Sequence, residues 1–312
     1  MFKRLSHWLY QSRLMRFIQH LAQKVYVSRK ANLNLLTAYY FVREEIQETN
    51  IFAEAKAVSY NFTLAVFPAI IFLFTLVPYF EVVGIQREEI LIFFNDSIPT
   101  NLYESLENTI IDLVDNKREE LTLFGFLFAT FMSTNGMLAL IASFNRCYKT
   151  AERRSRIKQH FIAFVLMILI MFVLLTAMIL IVFGGLIIES IQERFHLIEG
   201  LELARFLQYS VFFLFYFVVI SIIYVIAPTV PKRWKFFSIG AVFATLMSII
   251  LSTVFSYYVN NFATYNKVYG SIGTLIAFMI WLQWMSITLL LGFEINVGIE
   301  RAKQTIKKVK GI

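Results

Sequence analysis

Residues Tyr265 to Asn296 read "YNKVYGSIGTLIAFMIWLQWMSITLLLGFEIN". The part from Ile272 to Phe293 contains no charged residue. It is long enough for a helix to cross the hydrocarbon core of a bilayer, which is about 30 Å thick. A carboxylate, Glu294, follows directly. The stretch therefore predicts a transmembrane helix that carries one acidic side chain near its far end.

The composition of the whole chain agrees with a membrane protein. Of its 312 residues 58% are hydrophobic and 16% are charged, whereas soluble domains average about 25% charged residues. Phe occurs 33 times while Pro occurs 5 times, which favours long helices over the alternating pattern of a membrane barrel. The single cysteine, Cys147, excludes an internal disulfide and a thiol-rich metal site.

Six segments are apolar and long enough to span a bilayer. They contain no Asp, Lys or Arg, and they lie at Ala57–Phe80, Leu121–Asn145, Phe161–Ile188, Leu207–Ala227, Phe236–Asn260 and Ile272–Gly298. The predicted fold is an all-α integral membrane protein with six transmembrane helices.

The basic residues predict the orientation of these spans. Alternate segments outside the spans, beginning with the N-terminal one, hold 23 of the 29 Lys and Arg residues. By the positive-inside rule both termini are cytoplasmic. The predicted organisation is a basic cytoplasmic region at 1–56, a membrane domain at 57–298 and a basic tail at 299–312. The net charge of +8 then reflects topology and attraction to anionic headgroups, and it does not indicate nucleic acid.

Two segments outside the spans have amphipathic patterns. The acidic loop at 81–120 has apolar residues at helical spacing, at Leu102, Leu106, Ile110 and Leu113. This spacing predicts a helix on the outer face. The N-terminal stretch from Leu5 to Val25 alternates apolar and basic residues, which is typical of a helix at the inner leaflet. For both, a solvated helix packed on the bundle is the alternative.

Some features of the spans indicate packing. Small residues recur every four positions on the fifth span and predict a close helix contact, at Gly240, Ala244, Ser248, Ser252 and Ser256. Trp281 and Trp284 lie near the middle of the sixth span, where they are expected to fill the core. Pro68 removes a backbone donor in the middle of the first span and predicts a kink.

Polar residues at membrane depth are candidates for a substrate path, because each needs a partner or a wet cavity. They are Pro68, whose missing N–H leaves one backbone carbonyl of the helix without its usual hydrogen bond, and Asn135, Gln283, Tyr60, Asn61, Asn145, Arg146, Glu294 and Asn296. For Asn135 and Gln283 the alternative is a hydrogen bond that joins helices. For Glu294 we expect a pair with Arg146 at the inner mouth of a cavity, and the alternative is a side chain that reaches the cytoplasmic interface.

Three stretches resemble the YihY/virulence factor BrkB family of bacterial inner-membrane proteins. They are "AVSYNFTLAVFPAIIF" at 57–72, "PTVPKRWKFFSIGAVFATL" at 228–246 and "YGSIGTLIAFMIWLQWMSITLLLGFEIN" at 269–296. The resemblance implies six membrane helices and a loose description as a transporter. Some members of the family were once labelled ribonuclease BN. No H-x-H, H-E-x-x-H or D-x-D spacing in the chain supports nuclease chemistry.

These observations predict an inner-membrane transporter or flippase-like permease for an amphipathic or anionic substrate, which includes lipids. The alternative is a non-transporting protein that organises or regulates envelope machinery through a protein partner. No enzymatic activity, metal or cofactor is expected. Membrane lipids are the expected partners, and the sequence leaves the substrate, the coupling ion and the oligomeric state undetermined.

The predicted topology can be tested by cysteine labelling. A cysteine introduced at Asn116 should react with an impermeant thiol reagent added outside the cell, and one at Gln304 should not, because the basic residues place 304 in the cytoplasm. The opposite labelling pattern would overturn the predicted depths of all the polar candidates.

Overall fold

Helices form nearly all of the computed structural model, which describes residues 23–24, 26–28, 33–80, 119–148, 154–173, 176, 200–230, 234–261 and 271–310. The helices are α1 (Leu35–Glu48), α2 (Ile51–Phe80), α3 (Glu119–Cys147), α4 (Arg156–Val173), α5 (Gly200–Ile226), α6 (Ile239–Asn261) and α7 (Ser271–Lys310). Two short strands, β1 (Tyr26–Ser28) and β2 (Leu33–Asn34), pair antiparallel. The all-α prediction is correct apart from this pair of strands.

Four of the described helical segments are long and apolar enough to cross a membrane. They cover residues 120–147, 156–173, 239–258 and 275–309, and a shorter apolar helix covers 210–226. The first predicted span, Ala57–Phe80, lies within the continuous helix α2. The count of six spans stays a prediction. The predicted helices at 5–22 and 81–118, and the end of the third span beyond 176, lie outside the described residues.

Asparagine side chains separate α1 from its neighbours. Asn34 accepts a hydrogen bond from the Thr37 amide at 2.8 Å and so caps the start of α1. Asn50 accepts one from the Ala53 amide at 3.2 Å at the start of α2. Between them the chain turns at Thr49, whose amide donates to the Glu45 carbonyl at 3.1 Å. The chain therefore forms two separate helices, α1 and α2, and not one continuous helix.

The main core lies where α3, α5 and α7 meet. Phe293 of α7 stacks on Phe144 of α3 with ring centroids 4.2 Å apart, and Tyr224 of α5 lies 5.9 Å from the Phe293 ring. All three side chains are buried. A second cluster joins α1 to the latter half of α7, because Ala38 packs with Ala302. The residues that follow the predicted sixth span thus continue its helix, and α1 packs against them.

Helices α6 and α7 touch through backbone atoms. A Cβ atom built on Gly240 would lie 1.9 Å from the Gly292 carbonyl oxygen, and one on Gly292 would lie 2.4 Å from the Tyr224 hydroxyl. Ala244 and Ser248 are also fully buried. Farther along the predicted small-residue face, Ser252 hydrogen-bonds Tyr216 of α5 at 2.7 Å and Ser256 is exposed. The small residues allow close contact with α7 only along the first half of α6.

This close contact predicts the effect of enlarging Gly240. Gly240→Leu should destabilise the protein by about 1–3 kcal/mol or more, because the new side chain overlaps the α7 backbone. The thermal midpoint of the detergent-solubilised protein measures this change. Ser256→Leu, at the exposed end of the same face, is the matched control and should leave the midpoint nearly unchanged. Equal midpoints for both variants and the wild type would contradict the close contact.

Candidate functional site

Glu294 lies in the tightly packed part of α7 and is inaccessible to solvent, with 0% exposure. Both of its carboxylate oxygens are buried, and no cation in the described part of the chain forms a hydrogen bond with either of them. On one side Phe293 packs against the Trp234 ring at 4.9 Å. The carboxyl group is therefore enclosed in protein, and it does not reach the cytoplasmic interface as the alternative reading of the sequence would require.

The polar surroundings of Glu294 come from three helices. The side chains of Thr49, at the end of α1, and Cys147, the last residue of α3, lie beside the carboxyl group. The charges of Glu45 and Arg301 also act on it. Cys147 is fully buried and Glu45 is 2% exposed. The Cys147 thiol therefore lies beside the Glu294 carboxyl group, and the charge of Glu45 acts on it, so we call Glu45, Cys147 and Glu294 the buried acidic cluster.

Arg301 and Glu45 join α7 to α1. The Arg301 guanidinium donates to Glu45 in an ion pair, and the Glu45 side chain is 3% exposed. Because a buried carboxylate is costly without a cationic partner, this pair stabilises the packing of α1 on α7. The nearest formal positive charge on α7 is therefore bound to Glu45.

Arg146 does not pair with Glu294, contrary to the prediction. Its Nε and Nη2 atoms donate to the two carboxylate oxygens of Glu54 at 2.7 Å and 2.5 Å. The Arg146 side chain is 54% exposed and that of Glu54 is 17% exposed. Burial by itself would raise the pKa of Glu54. The hydrogen bonds from Arg146 act in the opposite direction, and the pKa lies below its usual value. The pair clamps α2 to α3 near the surface.

Two of the candidate asparagines hold backbone segments in place. The Asn296 side chain accepts from the Gly240 amide at 2.9 Å and donates to Ser238 Oγ at 3.0 Å, so it caps α6 from the neighbouring helix. Asn145 accepts from the Thr229 amide at 2.8 Å. Both side chains therefore fix the positions of segments next to the buried acidic cluster.

The remaining candidates do not converge on Glu294. Gln283 accepts a hydrogen bond from Ser59 Oγ at 2.7 Å and so joins α7 to α2. Asn61 donates to the Ala57 carbonyl of its own helix at 2.8 Å. Tyr60 is 61% exposed. Asn135 is half-buried on α3, and Pro68 is buried within α2.

The second feature of the site is an apolar groove that the sequence analysis did not predict. It has a volume of about 450 Å³ and lies between the second half of α6 and the first half of α7. Its lining is almost entirely hydrophobic: Leu251, Val254, Phe255, Tyr258, Ile276, Ala277, Ile280, Trp281 and Trp284. We call it the α6–α7 groove. The signal in the sequence was the change on α6 from small residues to Val254, Phe255 and Tyr258.

The two tryptophans line this groove, and the prediction that both fill the core is wrong. Trp284 is 49% exposed. Trp281 stacks on Phe255 with ring centroids 5.5 Å apart. Its indole Nε1 is buried and has no hydrogen-bond acceptor within the part of the chain that the structure describes. Trp281 therefore contributes to the groove lining while its N–H stays buried.

Among the described residues there is no group of three or more His, Cys, Asp or Glu side chains that could hold a metal ion. The chemistry available at the site consists of proton binding by the buried acidic cluster and apolar contact in the α6–α7 groove. The two features occupy opposite halves of α7.

Comparisons with known proteins identify relatives over most of the chain. A family model described as "Virulence factor BrkB" matches residues 42–311. YfkH of Bacillus subtilis (strain 168), whose name describes it as ribonuclease-like, is 33% identical over 81% of this chain and 91% of its own length. A UPF0761 membrane protein of Haemophilus influenzae is 22% identical over 85% of this chain and 96% of its own length. No solved structure matches the chain significantly.

The observed ion pairs predict which residues are energetically coupled. In a double-mutant cycle, Glu54→Gln and Arg146→Ala should show a coupling of about 0.5–1 kcal/mol, because they form a bidentate but partly exposed pair. Denaturation of the purified variants in detergent measures it. The corresponding cycle of Glu294→Gln with Arg146→Ala is the control and should be closer to additive. A larger coupling in the control cycle would restore the pairing that the sequence suggested.

Proposed function

The chain belongs to the virulence factor BrkB family, and from that premise we propose that it is a flippase-like permease that moves an amphipathic lipid across the bacterial inner membrane. The observation that supports this proposal is the α6–α7 groove. Its apolar lining lies on helical segments that are long and apolar enough to cross a membrane. A groove at membrane depth would be open to lipid hydrocarbon, and an acyl chain is the occupant that its chemistry favours.

The surface around the groove supports contact with lipid. Val254 on α6 is 59% exposed, and Ile280 and Trp284 on α7 are 54% and 49% exposed. Apolar side chains with this exposure are unfavourable in water and favourable in a bilayer. A molecule with an acyl chain matches this apolar surface better than a sugar or an inorganic ion does.

The distribution of charge supports an anionic headgroup at one surface. If the topology predicted from the 23 basic residues holds, the described cations Arg154, Arg156 and Lys158 lie at the cytoplasmic face with the other loop and tail residues. Basic side chains attract anionic lipids to the leaflet where they lie. This charge favours an anionic phospholipid over a zwitterionic one as the substrate.

We propose transport and not catalysis as the function. The name of YfkH describes that protein as ribonuclease-like. In this chain the sequence has no motif for a nuclease metal site, and the described residues that do cluster, Glu45, Cys147 and Glu294, are enclosed in the bundle. A phosphodiester strand needs an open, basic surface near the reacting groups. The buried acidic cluster does not provide such a surface.

The proposal can be tested in liposomes that contain the purified protein and a fluorescent phospholipid. An impermeant quencher added outside measures how fast the probe moves from the inner leaflet to the outer one. We expect faster movement with the wild type than in protein-free vesicles, and faster movement of an anionic probe than of a zwitterionic one. Ala277→Phe, which fills the groove, should slow this movement several-fold.

Phe172→Leu, an exposed position on α4, is the matched control and should preserve the wild-type rate. A wild-type rate equal to that of empty vesicles would overturn the proposal. Inert vesicles together with a protein that co-purifies with the chain would favour the alternative role in organising or regulating envelope machinery. A normal rate in Ala277→Phe would remove the groove from the path.

A further inference from the structure

The buried acidic cluster contains one carboxyl group, that of Glu294, which no described cation bonds. Glu45, Cys147 and Glu294 are all 2% exposed or less and come from α1, α3 and α7. Arg301 donates to Glu45 and Arg146 donates to Glu54. Glu294 is left with two buried oxygens that no described cation bonds, and the side chains beside them are the uncharged Thr49 and Cys147.

A fully enclosed carboxyl group without a bonded cation is stable only in its neutral, protonated form. Glu294 thus holds a proton in the closed arrangement that the structure shows. It would lose that proton to water only if the protein around it opened. A carboxyl group whose protonation depends on whether the bundle is open or closed links proton binding to conformation.

We propose that Glu294 is a proton-binding site that couples lipid movement to the proton gradient, an inference that rests on the proposed function. In the closed form the carboxyl keeps its proton, and in the open form it gives that proton to a water molecule. Before the protein closes again, the carboxylate must take up a proton from the side of the membrane to which it is then open. No other reactant is needed, because the only bond that forms or breaks is the O–H bond.

Charged and titratable groups on every neighbouring helix set the balance between the two forms. Glu45 on α1 disfavours a negative charge at Glu294, whereas Arg301 on α7 favours it. Among the described residues, Cys147 on α3 and Tyr224 on α5 are further titratable groups near this end of α7. Arg301 is already bound to Glu45 and Arg146 to Glu54, so opening to water would stabilise the charged form of Glu294.

The junction of α1 and α2 brings the Glu294 carboxyl group close to an exposed residue. Thr49 lies beside the carboxyl group, and the next residue, Asn50, is exposed. A movement of this junction would admit water to the carboxyl group.

Infrared difference spectroscopy of the purified protein tests the proton site without requiring transport. The wild type should show the C=O stretch of a protonated carboxylic acid at neutral pH, and Glu294→Gln should lack it. Glu44→Gln, an exposed carboxylate on α1, is the matched control and should keep the band. If Glu294→Gln keeps the same band as the wild type, Glu294 is ionised in the wild type. This result would overturn the proton site.

The vesicle assay with an imposed pH gradient tests the coupling. We expect the wild-type rate to change several-fold with the gradient, Glu294→Gln to show one rate at all gradients, and Glu294→Asp to recover part of the response. A wild-type response retained in Glu294→Gln would overturn the coupling. If the wild type moves lipid at the same rate with and without a gradient, the coupling is overturned and the proposed function stands. If the wild type moves no lipid at all, the coupling and the proposed function are both overturned. If Glu294→Gln fails to fold, the infrared band of Glu294→Asp and its gradient response decide the question.

Discussion

The contact between the backbones of Gly240 and Gly292 positions most of the features described above. Two helices can approach this closely only where neither carries a side chain, because a Cβ atom on Gly240 would overlap the Gly292 carbonyl oxygen at 1.9 Å. The approach brings Asn296 within hydrogen-bonding distance of the α6 amides and places the Tyr224 hydroxyl on the Leu289 carbonyl at 2.7 Å. Glu294 lies between these two anchors along α7, but its carboxyl group is buried against α1 and α3.

The opposite half of the same helix pair shows what happens when the small residues stop. Beyond Ser248 the α6 side chains that face α7 are Val254, Phe255 and Tyr258, and they meet the large indole rings of α7. Large rings on both helices do not interdigitate as closely as a glycine contact does, and the groove of about 450 Å³ remains. One pair of helices thus has a closely packed half and a half that leaves an open apolar surface.

Polar residues at membrane depth serve mainly to connect elements in this bundle. Ser59 and Gln283 join α2 to α7, Asn145 holds the segment after α5, and Arg154 donates to the Ala227 carbonyl at 2.9 Å in the same segment. Each of these bonds satisfies a donor or acceptor that would be costly to bury alone. Glu294 differs from them because it is a fully buried carboxyl group that no described cation bonds.

The sequence alone determined the protein class, the helical character and the approximate positions of the apolar segments, because hydropathy over about 20 residues is a local sum. It also located a charged residue near the end of the last span. Only the tertiary structure decided which side chains meet. Successive residues on a helix point about 100° apart, so Cys147 lies beside Glu294 while its neighbour Arg146 turns to Glu54. Predicted depth placed Arg146 and Glu294 at one level, but helix rotation separated them. The groove likewise depends on how two helices fit together, and no pattern along a single helix contains that information.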